Sequence, residues 1–483
     1  MTAKNLLLIM SDEHDPRYMG ASGHRVVKTP AIDRLAARGT QFVNAYTPSP
    51  ICVPARASFA TGRYVHKLPY WDNAMGYDGK VKGWAHCLQE AGIRVDAIGK
   101  MHYRHEDDPL GFDHQICPMH LKDGIGQVWG SVRAPLPEGP APRMFNKVGA
   151  GVSNYNLFDR QCANAACDWL KQRSEETDQD RPWMLYVGFA APHFPLVVPR
   201  AYLDLYPPDA VPARKLHPRD GHKHHPWIQA QECYMSQEGL FADEDERILG
   251  IRAYYGLCSF LDDQIGLILD ALEYYGLAES TRVIYTSDHG DNLGSRGLWG
   301  KSNLYEESTK IPMIVAGPDV PQNHTCATPA SLVDCYPTVL QAVGLPLQTR
   351  AGDCQGQSLF DLAAAPDDLK RAVLSEYHAV GSISGAFMIR KGRYKYHYYV
   401  GMPPELFDLE RDPEETVDLA QDPQFKGVLA KMEQALRQFL DPEAVDARAR
   451  AAQAELVASY GGREKAIGMG AIGATPVPGK GDE

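Results

Sequence analysis

Short apolar runs alternate with longer segments of helical periodicity through the first three quarters of this chain of 483 residues. The apolar runs are continuous, which is typical of parallel strands that are buried on both faces. We therefore predict an α/β fold with a large central, mostly parallel sheet that helices cover on both faces. The predicted strands are residues 6–10, 95–99, 184–189, 283–286 and 313–316, and the predicted helices are residues 31–38, 84–91, 156–171, 244–275 and 332–343.

The pattern changes near residue 364, where an Ala-Ala-Pro-Asp-Asp segment interrupts it. Strand-like runs follow at 372–376, 386–389 and 394–399, and a helical pattern follows at 424–440. Strands joined by tight turns and closed by a helix indicate a small antiparallel α+β subdomain. The predicted division is a catalytic α/β domain at residues 1–365, the C-terminal sheet and helix at 366–440, and a further helix and tail at 441–483.

The tail after Gly461 is rich in Gly and Pro, so it cannot form a core of its own. It nevertheless contains three apolar residues, Met469, Ile472 and Val477. Two alternatives remain open, a disordered end or a contact with a neighbouring subunit. On the second alternative we expect a homo-oligomer, either a dimer or a tetramer.

The charge balance limits the partners of the chain. It carries 49 Lys and Arg against 61 Asp and Glu, a net charge of −12, so we expect neither nucleic acid nor an anionic membrane as a partner. The longest apolar stretch, residues 183–191, is too short to span a bilayer, and the run after Lys4 is too short for a secretory signal. We therefore expect a cytoplasmic protein whose ten cysteines are free thiols.

Ionisable side chains follow four of the predicted strands, at the point where each strand ends. In an open α/β sheet, ligands bind at the carboxyl ends of the strands, so these side chains predict an active site there. Each of them alone would fit a cap or a polar turn equally well. The residues are Asp12, Lys100, His102, His193, Asp288 and His289.

The chemistry of these side chains suits a metal and an anion. Asp12, Asp288 and His289 offer two carboxylates and an imidazole, a set that prefers calcium, magnesium or manganese over zinc, with the imidazole favouring manganese. The cationic and proton-transferring residues suit a tetrahedral oxyanion, sulfate or phosphate. They are Arg56, Lys100, His102, His193 and Lys301.

Cys52, taken alone, would be interpreted as a buried core cysteine. Residues 52–58, however, read Cys-Val-Pro-Ala-Arg-Ala-Ser, and residues 61–63 read Thr-Gly-Arg. This segment resembles the signature of the sulfatase family, within the alkaline-phosphatase-like superfamily. Gly-Lys-Met-His at 99–102, Pro-His-Phe-Pro at 192–195 and Thr-Ser-Asp-His-Gly at 286–290 match further motifs of that family in order and spacing.

The resemblance implies an alkaline-phosphatase-like fold and a sulfuric ester hydrolase. It implies that a maturation enzyme oxidises Cys52 to Cα-formylglycine, whose hydrate is both nucleophile and metal ligand. The metal would be one divalent ion, Ca²⁺ or Mn²⁺. The resemblance further implies that Asp12, Asp288 and His289 bind the metal and that Arg56 stabilises the hydrate. It implies that Lys100 and Lys301 bind sulfate and that Asn73 contacts the anion. His102 would act as the base, and His193 with Lys301 would act on the leaving oxygen.

Departures from the family pattern indicate a branch. Many sulfatases carry Asp-Asp after the first strand, whereas this chain carries Asp12-Glu13, so the resemblance leaves open whether Glu13 ligates the metal. Asp288-His289 and the segment Gly-Leu-Trp-Gly-Lys at 297–301 look more like the choline-sulfatase and phosphonate-monoester-hydrolase branches. The substrate is therefore a small sulfate ester or, alternatively, a phosphonate monoester or a phosphodiester.

Several features keep other interpretations open. Choline recognition requires an aromatic cage, for which Trp129, Tyr103 and Trp227 are candidates. The histidine-rich tract at 222–225 fits a surface loop better than a metal site. The long connections at 104–155 and 200–243 are typical of functional lids. If Cys52 is never converted, the protein is a non-catalytic anion-binding protein on the same fold.

Overall fold

The computed structural model describes residues 4–133, 135–144, 146–176, 181–346, 354–471 and 473–480. The strands are β1 (Asn5–Asp12), β2 (Gly39–Phe42), β3 (Ala45–Tyr46), β4 (Arg94–Lys100), β5 (His114–Met119), β6 (Gly149–Ala150), β7 (Trp183–Pro192), β8 (Val197–Val198), β9 (Thr281–Ser287), β10 (Met313–Ala316), β11 (His324–Cys326), β12 (Ala330–Ser331), β13 (Ala372–Tyr377), β14 (Ala386–Lys391), β15 (Tyr394–Tyr399) and β16 (Glu405–Asp408).

The helices cover a wide range of lengths. They are α1 (Pro30–Ala37), α2 (Cys52–Thr61), α3 (Trp84–Glu90), α4 (Asn154–Glu175), α5 (Arg200–Leu203), α6 (Pro226–Met235), α7 (Glu244–Tyr274), α8 (Glu306–Thr309), α9 (Cys335–Ala342), α10 (Leu359–Ala364), α11 (Lys426–Phe439), α12 (Pro442–Ser459) and α13 (Arg463–Ala466). Within the described ranges, none of them combines the length and the apolar character needed to cross a lipid bilayer.

The central sheet has eight strands in the order β11-β2-β10-β9-β1-β7-β4-β5. Seven of them run in one direction, and β10 pairs antiparallel with both of its neighbours. The structure thus confirms the predicted α/β fold with a mostly parallel sheet. The five predicted strands correspond to β1, β4, β7, β9 and β10.

The first strand shows why residues 6–10 are all apolar. Leu7 and Ile9 point into a core that α1, α4 and α7 complete, whereas Leu6, Leu8 and Met10 point into a second core formed with α2, α3 and α9. Both faces of β1 are therefore covered by helices, and its polar residues lie only at its two ends, Asn5 at the start and Ser11 and Asp12 at the carboxyl end.

The C-terminal sheet is antiparallel, in the order β13-β14-β15-β16. One face packs against α11 and α12 through residues such as Phe387 and Leu436, and the other packs against the larger unit, where Tyr377 and Met388 share a core with Tyr46. The prediction included the first three strands and the helix but not β16, which follows a Pro-Pro pair. The domain boundaries at 365 and 440 remain predictions.

The C-terminal tail lies against its own chain. The backbone N–H of Trp129 donates to the carbonyl of Met469 (3.2 Å), and its indole Nε1 donates to the carbonyl of Ala471 (2.9 Å). Neither alternative drawn from the sequence included this placement, because the hydrogen-bonding partners lie over 300 residues away along the chain. Ile472 lies outside the described residues, and the intersubunit contact remains a prediction.

Leu436 tests the packing of the C-terminal sheet. It is fully buried between α11 and β14–β15. We expect Leu436→Ala to lower the free energy of unfolding by about 2–5 kcal/mol, through lost apolar burial and the cavity that remains. The measurement is the shift of the denaturant midpoint, with Leu267→Ala on α7, half exposed, as the matched control. A loss no larger than that of the control would contradict this packing.

Candidate active site

Four neighbouring parallel strands deliver polar side chains to one edge of the central sheet. Asp12 and Lys100 are the last residues of β1 and β4, and His193 and Asp288 come directly after β7 and β9. The order β9-β1-β7-β4 places these four strand ends side by side. The backbone therefore brings these predicted residues together at one edge of the sheet.

Cys52 is the first residue of α2, whose amino end faces the same edge. It is 1% exposed, with Sγ 3.1 Å from His289 Nε2 and 3.7 Å from Asp12 Oδ1. Burial, reinforced by the charge of Asp12, raises the pKa of the Cys52 thiol well above its usual range. An unmodified Cys52 is thus held as a neutral thiol and is a poor nucleophile in this setting.

Arg56 lies one turn beyond Cys52 on α2 and bridges the carboxylates of Asp12 and Asp288. Its Nε donates to Asp288 Oδ2 (2.8 Å) and its Nη2 to Asp12 Oδ2 (3.1 Å). Its Nη1 donates to the Tyr186 hydroxyl (3.1 Å) and the Lys100 carbonyl (2.9 Å). The guanidinium is completely buried and fully hydrogen-bonded, which is the condition under which a buried charge is tolerated.

Asp12 receives a second cation. Lys100 Nζ lies 2.8 Å from Asp12 Oδ2. Burial alone would raise the pKa of the Asp12 carboxyl, but the charge of Lys100, with His193 and Arg56, holds it well below its usual range. Asp12 is therefore an anion at any physiological pH and is available as a ligand.

A group of four side chains fits a metal ion. Donor atoms of Asp12, Cys52, Asp288 and His289 all lie within 4.8 Å of one another, and all four residues are buried. His289 Nδ1 donates to the Gly290 carbonyl (3.1 Å), which leaves a lone pair on Nε2 facing the group. Two carboxylates and one imidazole are a donor set suited to calcium or manganese.

Glu13 stands in a second group of potential metal ligands, with Asp12 and His193. Its Oε2 accepts from Lys301 Nζ (3.1 Å) and lies 3.3 Å from His193 Nε2. Lys301 Nζ also donates to His193 Nε2 (2.8 Å), whose Nδ1 donates to the Phe194 carbonyl (2.7 Å). Burial, with the neighbouring Lys301, lowers the pKa of the His193 imidazole well below its usual range. Lys301 is therefore the protonated member of this pair.

His102 and Asn73 complete the set of predicted residues. Burial, with the charge of Lys100, lowers the pKa of the His102 imidazole, which is thus a neutral base. Asn73 Oδ1 accepts from the backbone N–H of Val53 (3.1 Å), so this amide supports the first turn of α2. Cys52, Lys100, His102, His193 and Lys301 line one pocket together with Asn73.

This pocket has a volume of roughly 850 Å³ including its open mouth. Beyond the charged floor its wall is largely apolar, with Trp129, Phe194, Trp299 and Met144, and it also holds Glu232, whose pKa burial raises to about 7. Sequence analysis named Trp129 but missed Trp299, although Trp299 stands inside the quoted segment 297–301. No motif or spacing in the sequence indicated that Glu232 on α6 would line the pocket.

Other sequence candidates lie elsewhere. Tyr103 packs edge-on against Tyr77, and Trp227 packs against Tyr399, and neither lines the pocket. In the histidine tract, His224 and His225 each bond a backbone carbonyl, of Arg296 and Pro403 respectively. Among the described residues, both groups of potential metal ligands lie at the sheet edge and neither includes this tract.

The comparison with family models assigns most of the chain. The sulfatase family model matches residues 4–345. A second model, described as the C-terminal part of N-sulphoglucosamine sulphohydrolase, matches residues 294–441. The two matches together include both the central sheet and the C-terminal sheet.

Relatives of the chain agree with this family, and a solved structure shares its fold. A choline-sulfatase of Rhizobium meliloti (strain 1021) is 32% identical over 471 residues, which cover 93% of this chain and 89% of the relative. An arylsulfatase K of Bos taurus is 30% identical over 480 residues, with 92% and 83% covered. The phosphonate monoester hydrolase structure of Agrobacterium radiobacter shares the fold, with a TM-score of 0.73, 23% identity, and 90% of this chain and 95% of that chain covered.

The match over residues 4–345 includes Cys52, the three other members of the metal-binding group and every lysine and histidine of the pocket floor. The sequence signature, the fold and the relatives lead to one conclusion. This chain belongs to the sulfatase family.

Proposed function

We propose that this protein hydrolyses sulfate monoesters with a formylglycine made from Cys52. The observation that carries the proposal is the position of Cys52, between the metal-binding group and the cations of the pocket floor. Sγ is 3.1 Å from His289 Nε2, and Lys100 and Lys301 line the same pocket. A nucleophile at this position reaches an anion that the two lysines hold.

Residue 52 and the metal would supply two kinds of chemistry. A bound divalent ion, held by Asp12, Asp288, His289 and residue 52, would act as a Lewis acid. Formylglycine would supply, as its hydrate, one hydroxyl that attacks sulfur and a second whose deprotonation expels sulfate, which a serine ester cannot do. Arg56 holds two of the metal-binding carboxylates in place, because it donates to both.

The proton-transferring residues act in two different steps, the departure of the alcohol and the release of sulfate. Lys301 donates a proton to the ester oxygen as the alcohol leaves, and His193 fixes the direction of the ammonium through their 2.8 Å hydrogen bond. His102, neutral because burial lowers its pKa, would act as the base that accepts a proton from residue 52 as sulfate leaves. Lys100 balances the charge on the sulfate oxygens throughout, and Lys301 does so until it gives up its proton.

Maturation would take place before folding is complete. Cys52 is 1% exposed and its thiol faces the metal-binding group, so an enzyme that oxidises it cannot reach it in the folded chain. A formylglycine-generating enzyme in the same compartment is therefore a required partner. The cytoplasmic location and the homo-oligomer remain predictions.

The wall of the pocket favours an apolar or cationic alcohol. Trp129, Trp299 and Phe194 offer aromatic surface, and Glu232 offers a carboxyl whose raised pKa a nearby cation would lower. The similarity to a choline-sulfatase supports the same class of alcohol.

A second candidate function is hydrolysis of phosphonate monoesters or phosphodiesters at the same site. The floor recognises a tetrahedral anion by charge, and the fold is shared with a phosphonate monoester hydrolase. Rates on an aryl sulfate and on the matching aryl phosphonate separate the two functions. A kcat/KM in favour of the sulfate supports the first, and a preference for the phosphonate supports the second.

Cys52→Ala tests the nucleophile. We expect loss of sulfate release to less than about 1% of the original rate, because no other group in the described site can attack sulfur and then eliminate sulfate. The measurement is sulfate released per folded enzyme. Cys167→Ala, at a half-buried cysteine on α4, is the matched control and should keep full turnover. A Cys52→Ala sample that keeps more than a few per cent of the rate would refute this assignment.

Metal content tests the four-residue group. We expect one equivalent of divalent metal in the active enzyme, and Asp288→Asn and His289→Ala should lower metal content and activity together. Elemental analysis of the purified protein measures this. Asp270→Asn, at an exposed carboxylate on α7, is the control and should keep its metal. Two equivalents, or none in an active sample, would show that the site is misassigned.

The leaving-group dependence tests the roles of the cations. Lys301→Ala and His193→Ala should cost more activity as the alcohol becomes more basic, because a basic leaving oxygen requires a proton in the transition state. Lys100→Ala and Arg56→Ala should harm good and poor leaving groups nearly alike. The measurement is log kcat/KM against leaving-group pKa. If the slope steepens for none of the variants, or equally for all, this division of roles is wrong.

A further inference from the structure

A strap from the C-terminal tail closes one side of the pocket; we define it as residues 469–471 and 473–475. Trp129 donates from its backbone and from its indole to the carbonyls of Met469 and Ala471. Gln127 Nε2 donates to the carbonyl of Gly473 (2.7 Å). These bonds fix a segment whose described residues form no helix or strand, and they bring residues 473–475 into the pocket lining.

Thr475 makes the innermost contact of the strap. It is 7% exposed, and its Oγ1 lies 2.7 Å from His102 Nε2. Its carbonyl accepts from the Tyr155 hydroxyl (2.6 Å), which fixes the backbone beside the imidazole. The Tyr155 ring in turn lies 5.4 Å from Lys100 Nζ. The hydroxyl of Thr475 is therefore held against one ring nitrogen of His102.

The two ring nitrogens of His102 have different surroundings. Nε2 meets Thr475, whereas Nδ1 is buried and has no hydrogen-bond partner among the described residues. A neutral imidazole carries one N–H and one lone pair. When the threonine hydroxyl accepts from Nε2–H, the lone pair is on Nδ1, and Nδ1 is the atom that can take a proton.

We propose that Thr475 is a positioning residue that holds the His102 imidazole in its proton-accepting tautomer. This rests on the proposed function, in which His102 acts as a base after the alcohol has left. The proton then moves from the second hydroxyl at residue 52 to His102 Nδ1, the bond to sulfate breaks, and His102 returns the proton to solvent. Thr475 touches neither the substrate nor the reacting atoms in this account.

The strap is joined to the nucleophile by a short hydrogen-bonded path. Gln127, which holds Gly473, accepts from Asn73 Nδ2 (3.2 Å), and Asn73 accepts from the N–H of Val53, the residue after Cys52. Gly470 fixes the path of the strap at its other end. It has φ +98°, and a Cβ there would lie 2.0 Å from the carbonyl oxygen of Gly126. A side chain at residue 470 must therefore displace the strap.

Thr475→Val and Thr475→Ser test the proposal with a good leaving group, 4-nitrophenyl sulfate. Valine keeps the shape and removes the acceptor. If only the step that expels sulfate slows, kcat and KM fall by the same factor, about tenfold to a hundredfold, while kcat/KM stays within about twofold. Thr475→Val should also release one nitrophenol per active site in a rapid burst, and Thr475→Ser should restore both constants.

Matched variants distinguish a specific effect of Thr475 on His102 from a general loosening of the C-terminal tail. Thr325→Val, at an exposed threonine on β11, should change nothing. Gly470→Ala should reproduce the loss of kcat, while Gly468→Ala should not, because a Cβ there makes only an ordinary contact of 3.8 Å with the Lys465 carbonyl oxygen. A raised KM without a burst in Thr475→Val, or an unchanged kcat, would overturn the proposal. Failure of the wild-type enzyme to release sulfate would instead refute the proposed function.

Discussion

Two buried carboxylates at the edge of a parallel sheet are the constraint on which the site depends. Asp12 and Asp288 end neighbouring strands, and their charges are balanced by Arg56 and Lys100 at 2.8–3.1 Å. Removing one partner would leave an uncompensated charge in the interior, which is costly. The register of β9-β1-β7-β4 and the position of α2 are therefore coupled, because only that arrangement brings all four charges together.

Much of this arrangement could be predicted because it is local in sequence. A strand reads as an apolar run, and the residue at its carboxyl end, such as Asp12 or Lys100, lies at the shared edge of a parallel sheet. The same reasoning fails for Thr475, which meets His102 from 373 residues away and stands in a segment without periodicity. It also fails for Glu232, a polar residue on a short helix whose face becomes part of the pocket only through tertiary packing.

The pocket therefore has two halves with different origins. The anion-binding half is built on strand ends and α2, which the core fixes on both faces. The other half, which in the proposed function binds the alcohol, is built on loops, α6 and the C-terminal strap, which are held by a few hydrogen bonds such as those of Trp129 and Gln127. Loops and tails vary more readily than a core, so in the proposed function we expect the first half to determine which bond is broken and the second to determine which alcohol is accepted.

The central claim is that Cys52 becomes the nucleophile by losing its thiol. Burial raises the pKa of the unmodified Cys52 thiol and keeps it neutral, so this thiol is a poor nucleophile for attack on sulfur. The most direct measurement is the mass of the peptide that contains Cys52, taken from a sample whose active sites have been titrated. We expect a mass about 18 Da below that of the cysteine peptide, the thiol-to-aldehyde change, in a fraction equal to the fraction of active sites. A fully active sample in which this peptide carries only cysteine would contradict it.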